Sequence, residues 1–258
     1  MRTFFSTLAQ RSELLYTFGW ISLAGAALCI LLSLTTDTEI LGINAWIKPL
    51  KFYLSTTLFV WAIGWFIGYL PSARSLTIYE WSVVGVLGFE LAYITYQAAV
   101  GDRSHFNGRT AFHAFMFGMM GTLIGMMTLF TGWVGYKFFS TPLPQLAPHY
   151  LWAIRWGMVL FVLFAFEGFV MGQNGAHTVG AADGVAGLPF LNWSITHGDL
   201  RVAHFVGMHA LQLIPLLSYY VLKNTPLTHL VALLYLGVAG FVLWQALGGK
   251  PLHAFGVS

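Results

Sequence analysis

A chain of 258 residues that is 57% hydrophobic and only 8% charged, with a mean hydropathy of +0.72, lies far from the roughly 25% charged composition of soluble domains. That excludes an ordinary soluble enzyme and points to a polytopic membrane protein. The net charge of +3 comes from twelve Lys and Arg residues that form no run, which argues against nucleic acid as a partner, and with Cys29 as the single cysteine no intramolecular disulfide can form.

A bilayer core of about 30 Å is crossed by about 20 apolar residues in a helix, because backbone groups in lipid must bond to one another. Seven windows meet that length, at 14–34, 52–70, 79–100, 111–138, 150–171, 200–222 and 227–247. They predict an all-α, seven-helix bundle forming a single integral membrane domain. The alternating segments of a β-barrel do not occur. The first window follows a short arginine-bearing leader, is too long for a signal-peptide core and lacks a small-x-small cleavage site, so it reads as a retained helix.

Taken in order, the windows carry a few polar residues each. At the second, NAWIKPLKF (residues 44–52) sets Lys48 and Lys51 around Pro49. With Arg103, Arg109 and Arg201 they suit an anionic headgroup or substrate, or else plain snorkelling beside Trp46 and Phe52. The third holds Glu90 in GFELAYITYQ and is closed by Gln97, just before GDRSHFN with Arg103, His105 and Asn107. His113 opens the fourth, which is crowded with Met116, Met119, Met120, Met126 and Met127. Thioethers with an imidazole make a copper(I) ligand set, and methionine equally fills irregular apolar gaps. Glu167 lies near the end of the fifth, in FAFEGFVMG.

A glycine-rich connection with His177 and His197 follows, and 173–199 is predicted as an ordered loop capping a site. In the sixth window His204 and His209 are five residues apart, about 140° around a helix, so they define two stripes and cannot clasp one ion as an i, i+4 pair would. The pairs Gly64/Gly68 and Gly121/Gly125 suit close helix packing or a homo-oligomer face. No internal repeat of the kind found in many transporters is evident.

A carboxylate in a spanning helix costs several kcal/mol unless it is paired or protonated, so Glu90 and Glu167 are site candidates by default. Histidines 105, 113, 177, 197, 204, 209 and 253 fall on the side opposite the N-terminus, against His149 and His229 on the other. Basic residues divide six against six, so the positive-inside rule does not orient the chain; the leader arginines favour a cytoplasmic N-terminus.

The leading functional reading is a redox-active membrane protein holding a transition metal ion or haem b in the half of the bundle opposite the N-terminus. His113, His204 and His209 are the cofactor ligands in that reading, with Glu90 and Glu167 as further metal ligands. Glu167, Asp199 and Arg201 are the catalytic candidates. Lys48, Lys51, Gln97, Arg103, His105, Asn107, His177 and His197 line the substrate rim. Two alternatives use the same residues: a proton- or ion-coupled small-molecule transporter, and a zinc-dependent hydrolase with Asp199 or Glu167 as general base. A non-catalytic subunit would leave the glutamates unexplained. The last window has no lysine for a retinal, and HExxH, Walker, GxSxG and CxxC motifs are absent.

Three blocks, NAWIKPLKF, ELAYITYQ with GDRSHFN, and the run from VGAADGVAG through GDLRVAHFVGMHALQLIPLL, resemble a family of uncharacterised bacterial polytopic inner-membrane proteins. The resemblance implies an inner-membrane helical bundle. It places Glu90, Gln97, His105, Asn107, Asp199, Arg201, His204, His209 and Gln212 in the recognisable blocks and leaves Glu167 and the methionines outside them.

Overall fold

The computed structural model describes residues 2–252; His253 lies outside them. Helices α1 (Arg2–Arg11), α2 (Glu13–Thr35), α3 (Ile47–Ile67), α4 (Arg74–Ala99) and α5 (Ala111–Ser140) come first, with a two-residue ribbon of β1 (Glu39–Ile40) and β2 (Ile43–Asn44) between α2 and α3. Helices α6 (Pro148–Phe166), α7 (Gly168–Asn174), α8 (Leu200–Leu217) and α9 (Thr225–Leu247) follow, with a second ribbon of β3 (Thr178–Val179) and β4 (Gly198–Asp199) between α7 and α8. The architecture is therefore all-α and polytopic.

Six helical segments among the described residues are long and apolar enough to cross a membrane, where the apolar windows predict seven. The third predicted span is present as the 26-residue α4, but Glu80, Glu90, Gln97 and three tyrosines dilute its apolar character. The second begins five residues earlier than predicted because Pro49 sits in the first helical turn, where its missing N–H costs nothing.

The chain divides into two compact units, Met1–Leu143 and Pro144–Ser258. In the first, Ser12 caps α2 by accepting from the Leu15 N–H and donating its hydroxyl to Glu80. Arg11 lies between the Trp65 and Tyr69 rings, 4.1 and 4.0 Å from their centroids. Gly68 makes room for it, since a β-carbon there would stand 2.4 Å from Arg11 Cγ. Gly64 likewise faces Leu8 and Leu15, so this small-xxx-small pair is used inside the unit. In the second unit Pro215 removes a backbone donor from α8, and the chain leaves that helix through a wide π-type turn over Ser218–Leu222.

Both units repeat one arrangement. A long helix leads into an excursion closed by a two-residue antiparallel ribbon, a second helix returns antiparallel to the first, and a third packs against it. In the first unit Gly25 of α2 meets Tyr53 of α3, and Leu15 meets Gly64. In the second, Gly168 meets His204 of α8 and Gly157 meets Ala210 and Leu211. The third helices end alike. After α4, the Val100, Gly101 and Asp102 amides donate to the Tyr96, Ala98 and Gln97 carbonyls at 3.1, 3.2 and 2.9 Å; after α9, Gly248, Gly249 and Lys250 donate to Trp244, Ala246 and Gln245 at 3.1, 2.9 and 3.2 Å. The left-handed residue is Gly101 (φ 70°) in one and Gly249 (φ 69°) in the other, the glycine stop expected of a helix C-terminus. Each Gln-Ala pair is buried, and the alanine lies by the residue two before the second helix: Ala98 shares a core cluster with Ala45, and Ala246 stands against Gly198. The two-fold repetition that the sequence does not display is thus present in the fold.

Candidate functional site

The most unusual polar contact lies in the second unit. Helix α6 ends at Phe166, Glu167 occupies the joint, and α7 resumes at Gly168. The glycine disfavours an unbroken helix and lets α7 pass close to α8, since a β-carbon at Gly168 would lie 3.3 Å from His204 Cε1. The Glu167 carboxylate, only 3% exposed, then faces His204 Nδ1 at 3.3 Å, out of line for a hydrogen bond. Neither carboxylate oxygen has a hydrogen-bond partner.

The other histidine of α8 serves different neighbours. His209 Nδ1 lies 3.3 Å from Gln212 Oε1, and its ring stands edge-on to Phe205 at 4.2 Å between centroids.

Above this pair the 173–199 connection is ordered by two carboxylates. Asp183 accepts the His177 and Thr178 amides at 3.0 and 3.1 Å and sits 2.6 Å from His177 Nδ1. Partial burial pushes its carboxyl up, but His177, the Thr178 amide and the charge of Arg201 outweigh this and hold it far below the usual carboxylate range. Asp199 caps α8 through the Arg201 amide at 3.1 Å, takes the Ser194 amide at 2.8 Å, and receives the Arg201 guanidinium at 2.9 and 2.6 Å. Arg201 also donates to the Asn192 carbonyl. Asp199 and Arg201, proposed from sequence as catalytic groups, are thus engaged with each other and with loop backbone. His197 bonds Thr196 Oγ1 through Nδ1 at 3.0 Å.

In the first unit Glu90, Tyr93 and Gln97 share the buried face of α4. Gln97 donates to the Tyr93 hydroxyl at 2.7 Å, and its amide oxygen is buried without a partner. Met116 and Met120 pack with Tyr93 and Ile94 as core, while Met126 is exposed. At the mouth, Lys48 lies 6.0 Å from the Phe52 ring, Lys51 is half-buried, and His105 stands between Phe52 and Phe117. Asn107 ties its loop by donating to the Arg103 carbonyl at 2.8 Å. His113 has Thr110 Oγ1 at 2.7 Å from Nδ1 and Asp102 at 3.7 Å from Nε2, and Asp102 also pairs with Arg109 at 3.1 Å. Desolvation pushes Asp102 up, but the Arg103 amide, Asn107 and Arg109 together leave it below the usual range.

Of the predicted ligands, His113 and Glu90 therefore belong to one unit and Glu167, His204 and His209 to the other. Among the described residues no three His, Cys, Asp or Glu side chains form a group able to hold a metal ion. The sequence reading overlooked Asp102, Asp183, Tyr93 and Asn192. Scarcity was the available signal: with nine acidic residues in 258, each one off the spans has a partner worth seeking. No protein-family model, no curated protein and no solved structure matches the chain.

Proposed function

We propose that the protein is a proton- or ion-coupled carrier of small molecules in a bacterial inner membrane, with Glu167 and His204 as the coupling groups. The observation that carries this reading is the buried Glu167 carboxylate facing the half-buried His204 at 3.3 Å where α6 meets α7. Ionisable residues at membrane depth mark ion and proton paths. The repeated three-helix arrangement supports the same reading, because internal repeats are common among secondary transporters. A catalytic zinc site has less support, since it takes three protein ligands and the pair offers two.

The test uses the full chain in liposomes with a trapped pH-sensitive dye, challenged with a chemically diverse set of solutes. A coupled carrier answers at least one solute with proton movement, and Glu167→Gln and His204→Gln each abolish that response. An undiminished response in Glu167→Gln overturns the assignment. A response lost only in Glu90→Gln moves the site to the first unit. A Soret band that shifts on dithionite reduction of the purified protein would instead favour the haem reading.

A further inference from the structure

The second unit separates its charges by end. Its three carboxylates, Glu167, Asp183 and Asp199, all belong to the end that carries the 173–199 loop, and no Asp or Glu occurs in 144–166 or after Asp199. The other end, where α6 and α9 begin and the turn after α8 lies, holds His149, Arg155, Lys223 and His229. Two helix N-termini add their positive dipole ends. This end is therefore positive with no acidic residue near it in sequence.

Side chains there form a shelf rather than a scatter of cations. The Arg155 guanidinium lies 4.7 Å from the Trp152 ring centroid, and the His229 imidazole lies 4.6 Å from the same ring. Trp156 Nε1 donates to His229 Nδ1 at 2.9 Å. That bond needs a lone pair on Nδ1, so the neutral ring carries its proton on Nε2 and is a donor there. Arg155 and His229 are half-buried, and they lie about 10 and 6 Å along their helices from the N-terminal ends at 1.5 Å per residue. Tyr219 and Tyr220, 52% and 68% exposed, supply the aromatic girdle typical of a membrane–water boundary.

We infer that Trp152, Arg155 and His229 form a binding site for the phosphate of an anionic phospholipid, at the end of the second unit remote from Glu167. A planar guanidinium suits phosphate oxygens, the His229 Nε2–H offers another donor, and the indoles accept the upper acyl chain. Charge complementarity selects an anionic lipid over a zwitterionic one, because within the second unit no Asp or Glu occurs in 144–166 or 200–252 to meet a choline.

The experiment places the full chain in nanodiscs of phosphatidylcholine alone or with added phosphatidylglycerol, and reads thermal unfolding and lipid retention by native mass spectrometry. Phosphatidylglycerol is expected to raise the midpoint and to be retained, and the effect should fade in 0.5 M salt, where screening is strong (roughly 4 Å Debye length). Arg155→Gln should weaken retention about tenfold, the loss of one charge-assisted hydrogen bond. Arg155→Lys, which keeps the charge without the planar fork, should fall between, and it stands in if the glutamine variant does not fold. Retention unchanged in Arg155→Gln and Arg155→Lys overturns the site. Equal loss in Arg74→Gln of the first unit shows a generic charge effect and also overturns it. Inorganic phosphate reproducing the stabilisation in phosphatidylcholine discs would make this a free-anion site and sink the lipid assignment.

Discussion

Replacing Asp199 by alanine tests how the loop is held over the second unit. The residue is buried, caps α8, and accepts the Ser194 amide and two guanidinium contacts from Arg201. Loss of the cap alone costs about 1 kcal/mol. Removing the acid from a hydrogen-bonded ion pair whose arginine is only 24% exposed brings the total to about 3–5 kcal/mol. Asparagine keeps one acceptor oxygen but not the charge, so Asp199→Asn should cost about half as much. At a few degrees per kcal/mol, Asp199→Ala lowers the unfolding midpoint by roughly 10 °C. It should also open 175–198 to limited proteolysis. Wild-type proteolysis and an unshifted midpoint in Asp199→Ala would refute the idea that this carboxylate fastens the loop. Retained turnover or transport in Asp199→Asn would fit a fastening role and count against Asp199 as a general base.

Further outcomes follow from the same geometry. Asp183 has a folded-state value below that of the unfolded chain, so its contribution is fully present above roughly pH 4 and disappears only in stronger acid; loop proteolysis against pH should show protection persisting well below the range where an ordinary carboxylate titrates, and Asp183→Asn should abolish that acid dependence. Gly101→Ala and Gly249→Ala each force alanine into the left-handed region and should cost about 1–2 kcal/mol apiece, nearly equal in denaturant unfolding if the two caps are the same device. Gly207→Ala puts a β-carbon 1.9 Å from Phe164 Cγ and should destabilise by about 1–3 kcal/mol through overpacking, as read by thermal unfolding. A double-mutant cycle on Glu167→Gln and His204→Gln should show coupling of at least about 0.5 kcal/mol; strict additivity would mean the two groups do not interact.

Much of the helical organisation is legible in the chain because lipid imposes a length on every apolar run. What escapes is set by contacts between runs. The close approach of His204 to Gly168, beside Glu167, is not legible in FAFEGFVMG. His204 and His209 fall on separate stripes by their spacing, and the fold gives each a different neighbour, Glu167 for one and Gln212 with Phe205 for the other. The repeat is hidden because it rests on a few residues that do geometric work, a buried Gln-Ala and a left-handed glycine, while the lipid-facing remainder is free to vary among similar apolar side chains. His113, predicted as a cofactor ligand at the opening of a methionine-rich span, is the third residue of α5 and lies within reach of Thr110 and Asp102.

The duplicated three-helix arrangement also has a bearing on biogenesis. Each block closes its own ribbon and caps its own third helix using residues from within its own stretch of chain. A ribosome delivering this polypeptide to a membrane therefore releases a first block able to complete its internal bonds while the second is still being synthesised. A nick at the Leu143–Pro144 junction should be tolerated far better than a nick inside either ribbon.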